Sequence, residues 1–104
     1  MAIDRVQTFV LVHKMSRGRG PSIANYTTRE SVVVKLSDSS GAVGWGETYA
    51  SAGIVQTLRD VGEMLVGRDP LRSGEIHTLV WNASMSPEAA SVIAIANDDL
   101  RGRS

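Results

Sequence analysis

The chain has 104 residues, eleven basic and eleven acidic side chains, and no cysteine. This length fits one compact domain and excludes a complete (β/α)-barrel, which needs about 250 residues. A formal net charge of zero disfavours a nucleic-acid partner, because phosphate binding depends on an excess of Lys and Arg. Without cysteine the chain has neither a disulfide nor a thiolate metal site.

The apolar run at residues 9–12 is too short for the hydrophobic region of a signal peptide. No stretch approaches the roughly 20 apolar residues that a membrane-spanning helix requires. We therefore expect a cytoplasmic protein with no membrane partner.

Alternating, β-branched patterns predict three strands in the first half of the chain, over residues 3–12, 29–36 and 43–48. The Asp, Ser and Gly residues of 37–41 predict a turn that makes the last two strands an antiparallel hairpin. Residues 15–22, rich in Arg and Gly, predict a mobile loop.

After Gly53 the apolar period changes to about 3.6 residues, which predicts a first helix that Gly67 ends. Asp69 and Pro70 predict the start of a second helix, and Ser86 with Pro87 predicts the start of a third. Three strands followed by three helices, without alternation, indicate an α+β fold. We expect one domain over 1–104, with its sheet at 3–48 and its helices at 53–101.

Two Gly-x-Gly elements, at residues 18–20 and 44–46, lack the third glycine of a dinucleotide-binding motif. We interpret the first as part of a flexible loop and the second as a strand with bulge-like glycines. Trp45, between the glycines of the second, is predicted to be a largely buried aromatic packed against the first helix.

The ionisable residues suggest no catalytic residue and no metal ligand in this chain. Asp98 and Asp99 are consecutive on the third helix, so they diverge by about 100° and are better explained as ion pairs with Arg101 and Arg103. A solvated or capping role is predicted for the histidines, His13 and His77, because the spacing places no serine or carboxylate beside either. A strand-end hydrogen bond or an ion pair is expected for Glu47, which ends the third strand.

Three segments nevertheless resemble a known family. Residues 28–36 read TRESVVVKL, residues 41–47 read GAVGWGE and residues 66–70 read VGRDP. In this order and spacing they are similar to the amino-terminal capping domain of the enolase superfamily, in its mandelate racemase and muconate lactonizing enzyme group. The closing stretch, residues 90–102, resembles the helix that leads into the barrel of that family.

The resemblance implies a capping domain, a three-stranded antiparallel sheet followed by helices, that closes over a barrel supplied in cis or in trans. In the family the barrel carries Mg²⁺ and the bases that remove a proton α to a carboxylate, so dehydratase, racemase or cycloisomerase activity is implied. Mg²⁺ is expected only in a complete, barrel-bearing enzyme, and this chain alone is expected to be inactive. The implied substrate is a small carboxylate or an acid sugar.

The resemblance also points to two substrate-selecting loops, at residues 15–24 and 49–53. It makes Arg17 and Arg19 candidates to bind a substrate carboxylate, since guanidinium groups form bidentate hydrogen bonds with carboxylates. A basic loop that is simply solvated is the alternative. Tyr26 and Tyr49 flank the two loops and complete the substrate-binding candidates.

A second hypothesis is a stand-alone binding or self-associating module that has kept the cap fold. Asn97 and Asp98 occupy positions where the family usually has a large apolar pair. Two polar residues there would make an undocked third helix more soluble. A homo-oligomer is compatible with both hypotheses.

Overall fold

The computed structural model describes residues 1–16 and 26–103, with the side chains of 1–13 and 29–103. Its elements follow in the order β1 (Ile3–Ser16), β2 (Tyr26–Asp38), β3 (Val43–Tyr49), α1 (Ile54–Leu65), α2 (Ser73–Ser84) and α3 (Pro87–Arg103). The predicted α+β class is confirmed, and the described residues contain no barrel. Within the same ranges, no helix is both long and apolar enough to cross a membrane.

The three strands form one antiparallel sheet in the order β1-β2-β3. β1 pairs with β2 from Ile3, opposite Asp38, to Ser16, opposite Tyr26. The expectation that a loop begins at residue 15 is wrong, because backbone hydrogen bonding continues to Ser16 whatever the side-chain pattern. The rest of that predicted loop, residues 17–22, lies outside the described residues.

The turn between β2 and β3 forms where the sequence predicts it. The Oδ1 atom of Asp38 accepts hydrogen bonds from the backbone N–H groups of Ser40 (2.8 Å) and Ala42 (3.1 Å), and from the Ser40 hydroxyl. Gly41 has φ 92°, a left-handed conformation that suits glycine. The side chain of Asp38 thus satisfies the backbone donors that the hairpin ladder leaves unpaired.

The core lies between one face of the sheet and the helices. Val32, Val34 and Leu36 alternate along β2 and are fully buried. The predicted apolar stripes of the helices cover them, through the buried residues Ile54, Leu58, Val61, Leu65, Ile76, Val80, Ala89, Val92, Ile93, Ala96 and Leu100. We call this side of the sheet its helix face and the opposite side its outer face.

The glycines of β3 allow α3 to approach the sheet closely. A Cβ atom on Gly44 would lie 2.2 Å from the Ala96 carbonyl oxygen, and one on Gly46 would lie 2.5 Å from the Val92 oxygen. The β2–β3 ladder runs through these positions without a register shift. The expectation of bulge-like glycines is therefore wrong: the glycines leave room for a helix backbone.

Trp45 is not in the core. Since neighbouring strand residues point to opposite faces, glycines on the helix face place this side chain on the outer face, where it is 43% exposed. Its ring lies 6.5 Å from that of Phe9, between centroids, and the Lys35 ammonium lies 5.4 Å from the Trp45 centroid. The predicted burial against the first helix is wrong.

The second helix begins later than predicted. Asp69 Oδ1 accepts a hydrogen bond from the backbone N–H of Leu71 at 2.9 Å, and the N–H of Arg72 bonds to the Asp69 carbonyl. These bonds close a turn that includes Pro70, so α2 starts only at Ser73. α3 starts as expected, at Pro87, with the hydroxyl of Ser86 accepting from the Ala89 N–H.

Asn97 joins α3 to this turn. Its side chain is 1% exposed, and its Nδ2 group donates to the Pro70 carbonyl at 3.0 Å. The expectation that Asn97 makes α3 more soluble is therefore wrong, because the residue is part of the interior. Asp98, beside it, is exposed.

Candidate functional site

Polar side chains gather at one end of the sheet. In the antiparallel order β1-β2-β3, the carboxyl ends of β1 and β3 lie at the same end as the start of β2. His13, Ser31 and Glu47, one from each strand, stand near this end on the outer face. This end of the sheet is the candidate site.

A chain of hydrogen bonds crosses all three strands here, and we call it the polar row. The Nε2 atom of His13 lies 3.2 Å from the Ser31 hydroxyl, which donates to Oε2 of Glu47 at 3.4 Å. Ser31 is only 9% exposed, whereas His13 and Glu47 are exposed. The row therefore has a shielded centre and two open ends.

The proton count along the row fixes the roles of its atoms. A serine hydroxyl has one proton, and Ser31 gives it to Glu47, so His13 must donate through a protonated Nε2. No described residue bonds to Oε1 of Glu47, so the row offers a free acceptor atom at that oxygen.

A depression of about 310 Å³ adjoins the row, lined by Arg29, Glu30, Ser31, Glu47, Thr48 and Tyr49. Among the described side chains, Arg29, Glu30 and Glu47 form no ion pairs with one another or with other groups. The depression thus combines a guanidinium donor with carboxylate and hydroxyl groups. Such a lining suits a small polar ligand that carries both a carboxylate and hydrogen-bond donors.

The four predicted substrate-binding residues are described to different extents. Tyr49 is 61% exposed and lines the depression at the end of β3. Tyr26 starts β2, paired through its backbone with Ser16, and its side chain lies outside the described residues. Arg17 and Arg19 also lie outside them.

Sequence reasoning missed the contact between His13 and Ser31, which are 18 residues apart. The signal that locates it is the pairing register. Ser31 is opposite Leu11, so His13 is its diagonal neighbour on the same face. The hydrogen bond expected for Glu47 is confirmed, with Ser31 as its donor.

The ion pairs predicted on α3 are confirmed. Arg101 contacts Asp98 at 3.1 Å and Arg103 contacts Asp99 at 3.2 Å. Asp99 also accepts a hydrogen bond from the backbone N–H of Trp45 at 2.9 Å, which ties α3 to β3. That N–H group, together with the Arg103 guanidinium, lowers the pKa of Asp99 below its usual range.

A depression of about 750 Å³ lies between α1 and α2, away from the polar row. Its lining includes Glu75, whose carboxylate is paired with Arg72 at 3.1 Å. His77 lines a smaller depression beside Trp81. Within the described part of the chain, no group of three or more His, Asp or Glu residues could hold a metal ion.

Comparison with known sequences gives a family for this fold. The sequence model of the mandelate racemase / muconate lactonizing enzyme N-terminal domain matches residues 5–104. D-galactarolactone cycloisomerase of Agrobacterium fabrum is 29% identical over 99% of this chain, and the match covers 29% of the cycloisomerase.

Solved structures agree with this result. The dipeptide epimerase of Enterococcus faecalis superposes with a TM-score of 0.82 at 26% identity, over 98% of this chain and 30% of the epimerase. A structure of that epimerase contains Mg and the dipeptide L-Leu-L-Tyr. The N-succinyl Arg/Lys racemase of Bacillus cereus gives a TM-score of 0.82 at 24% identity, over 98% of this chain and 30% of the racemase, and supports the fold alone. The chain thus spans about 30% of the length of these relatives.

Proposed function

Because this chain belongs to the mandelate racemase / muconate lactonizing enzyme family as an N-terminal domain, we propose that it caps the active site of an enzyme acting on small carboxylates. Its relatives are complete enzymes in which this domain pairs with a barrel domain. The barrel that completes the present site is supplied in cis or in trans.

The observation that carries the proposal is the family match across residues 5–104, in a chain that spans only about 30% of its relatives. Two features of the fold support it. The carboxyl ends of β1 and β3 point toward the same end of the sheet, and the polar row and an open depression lie where β3 ends. A polar site at the edge of a small domain suits a cap over a larger catalytic domain.

The proposed reaction removes a proton α to a carboxylate, as in racemases, cycloisomerases and dehydratases. Mg²⁺ serves the family as a cofactor, yet the described residues offer no cluster that fits the ion. We therefore assign Mg²⁺ to the barrel of the complete enzyme and give this chain no part in metal chemistry. Its part is to bind the distal end of the substrate and to exclude water.

The substrate proposed is a small carboxylate, with an acid sugar as one class. Arg17, Arg19, Tyr26 and Tyr49 remain the proposed contacts of the two cap segments. The similarity to a cycloisomerase that acts on D-galactarolactone supports the acid-sugar class.

A self-associating module that has kept the cap fold is the second candidate. The observation that favours it is the outer face of the sheet, where Phe9 and Trp45 are each at least two-fifths exposed. The solubility argument from Asn97 no longer supports it, because that side chain is buried. Light scattering of the purified chain tests this second candidate: self-association requires a discrete, stable oligomer, and a monomer contradicts it.

The experiment that tests the cap proposal is to read the DNA downstream of this coding sequence. We expect a barrel, in the same frame or as a separate frame, with a Lys-x-Lys element and successive Asp, Glu and Glu metal positions. Unrelated downstream sequence, together with no barrel of this family elsewhere in the genome, would contradict the proposal.

A further inference from the structure

We propose that Glu47 is a specificity-determining residue: its carboxylate accepts a hydrogen bond from a hydroxyl or ammonium group of the ligand. Ser31 and His13 are the positioning residues that hold this carboxylate in place. The inference rests on the proposed function in one respect, namely that the ligand is a small carboxylic acid.

One oxygen of the Glu47 carboxylate is free to meet a ligand. Oε2 of Glu47 is held by the Ser31 hydroxyl, whereas Oε1 has no partner among the described residues. The side chain is exposed at the edge of the depression, where a ligand can reach it. An ionised carboxylate only accepts hydrogen bonds, so the ligand group that meets Oε1 must be a donor.

Ser31 and His13 support the other oxygen of this carboxylate. Ser31 is 9% exposed and lies on the central strand, with backbone pairing on both sides. His13, by donating to the Ser31 oxygen, leaves the hydroxyl proton only one acceptor, which is Glu47. A group held in this way loses less conformational entropy when a ligand binds than a free surface Glu does.

The depression also has a positive charge that can meet a ligand carboxylate. Arg29 lines it and has no ion-pair partner among the described side chains. Its guanidinium matches a ligand carboxylate, while Glu47 matches a donor elsewhere on the same molecule. The two together select a hydroxy acid or an amino acid derivative over a plain carboxylic acid.

The test is a titration of the ¹⁵N-labelled 104-residue chain, followed by NMR, with two pairs of probes. D-glucarate is compared with adipate, which has the same carbon chain without hydroxyls. The dipeptide L-Leu-L-Tyr is compared with its N-acetyl form, which lacks the ammonium group. We expect glucarate or the free dipeptide to shift the amide signals of Ser31, Glu47 and Thr48, and the shifts to saturate below about 20 mM. Adipate or the N-acetyl dipeptide, as the matched control, is expected to bind about tenfold more weakly.

Four variants locate the effect. Glu47→Ala is expected to weaken the preferred probe about tenfold, to the level of its matched control probe. Glu63→Ala removes an equal charge from the exposed side of α1, outside this depression, and is expected to leave binding unchanged. Ser31→Ala is expected to weaken binding, and Ser31→Thr, which restores a hydroxyl, is expected to recover it.

Four outcomes would overturn the inference: no saturable binding of any probe, equal binding within both pairs, equal losses in Glu47→Ala and Glu63→Ala, or a Ser31→Ala variant that is folded and binds normally. None of these results depends on a barrel, so the cap proposal survives them. Conversely, the absence of a barrel leaves the selectivity of Glu47 measurable in the isolated chain.

Discussion

Trp45 shows at the scale of one residue why an aromatic side chain between glycines need not be a core residue. The glycines occupy the helix face, and the strand alternation leaves the indole on the outer face, against Phe9 and under the Lys35 ammonium. Nothing in the local sequence distinguishes this arrangement from the alternative, with the indole on the helix face and the glycines on the outer face. The outcome depends on which face of the sheet α3 covers, and tertiary packing decides that.

Replacing this indole is therefore expected to be mild. Trp45→Ala removes an aromatic pair and an exposed cation–π contact, and we expect it to lower the free energy of unfolding by about 1–2 kcal/mol. Leu58→Ala, at a fully buried position, should cost about 2–5 kcal/mol. Urea unfolding followed by circular dichroism measures both. Equal losses would place Trp45 in the core after all.

The carboxylate of Asp38 should make stability depend on pH. The Ser40 hydroxyl, aided by backbone N–H groups of Ser40 and Ala42, holds the pKa of Asp38 below its reference value of 3.8. The unfolded chain therefore takes up the proton first, so the stabilisation is complete above pH 3.8 and is lost as pH falls through the lower, folded pKa.

This dependence can be isolated by substitution. Asp38→Asn is expected to make the free energy of unfolding fall less steeply with pH below pH 3.8. Ser40→Ala, which removes the largest cause of the pKa shift, should reduce this slope in part. Thermal unfolding across the acid range measures the slopes. Parallel slopes in the wild type and in both variants would show that this carboxylate titrates alike in the folded and unfolded chains.

At the scale of elements, the contact between α3 and β3 depends on the absence of side chains. Gly44→Ala would place a Cβ atom 2.2 Å from the Ala96 oxygen and 2.3 Å from the Leu100 nitrogen, both of which are backbone atoms. Neither can rotate away, so the helix must move. We expect a loss of about 1–3 kcal/mol or more in chemical denaturation.

A matched substitution separates crowding from the change of residue type. Gly74 lies in α2 with nothing within 4 Å of its Cβ position, so Gly74→Ala should be neutral or stabilising by up to about 1 kcal/mol. If Gly44→Ala were as well tolerated as Gly74→Ala, the close approach of α3 to β3 would be refuted.

The elements differ in how well the sequence predicts them. Strands and helices with a clear apolar period, such as β2 and α1, form where that period predicts. The start of α2 differs from the prediction, because an Asp side chain such as that of Asp69 can accept a hydrogen bond either as a helix cap or within a turn. Here its bond to the Leu71 N–H closes a turn, and only the surrounding packing decides between the two.

The candidate site illustrates the same limit. Glu47 stands out in the sequence because it follows a glycine-rich strand, and its hydrogen bond was predictable in kind. Its donor was not, since Ser31 is 16 residues away and reaches it only through the pairing register of β2 and β3. Sequence periodicity predicts elements, whereas a polar row across three strands requires their alignment.

At the scale of the whole molecule, the domain has a single core, yet it leaves two kinds of surface open. One is the polar end of the sheet, with its depression beside Tyr49. The other is the outer face, where Phe9, Leu11 and Trp45 are each more than one-third exposed. Such surfaces fit the capping role proposed above, in which a chain that spans about 30% of its relatives packs against a second, larger domain.

The measurement that tests the central claim most directly is exchange of the substrate α-proton in D₂O. A barrel found by the downstream reading is incubated with Mg²⁺ and a panel of hydroxy acids and dipeptides, with and without this chain, in cis or in trans, and followed by proton NMR. We expect loss of the α-proton signal for at least one carboxylate only when the chain is present. Equal exchange by the barrel alone, or none from the assembled pair on any member of the panel, would contradict a role as a capping domain.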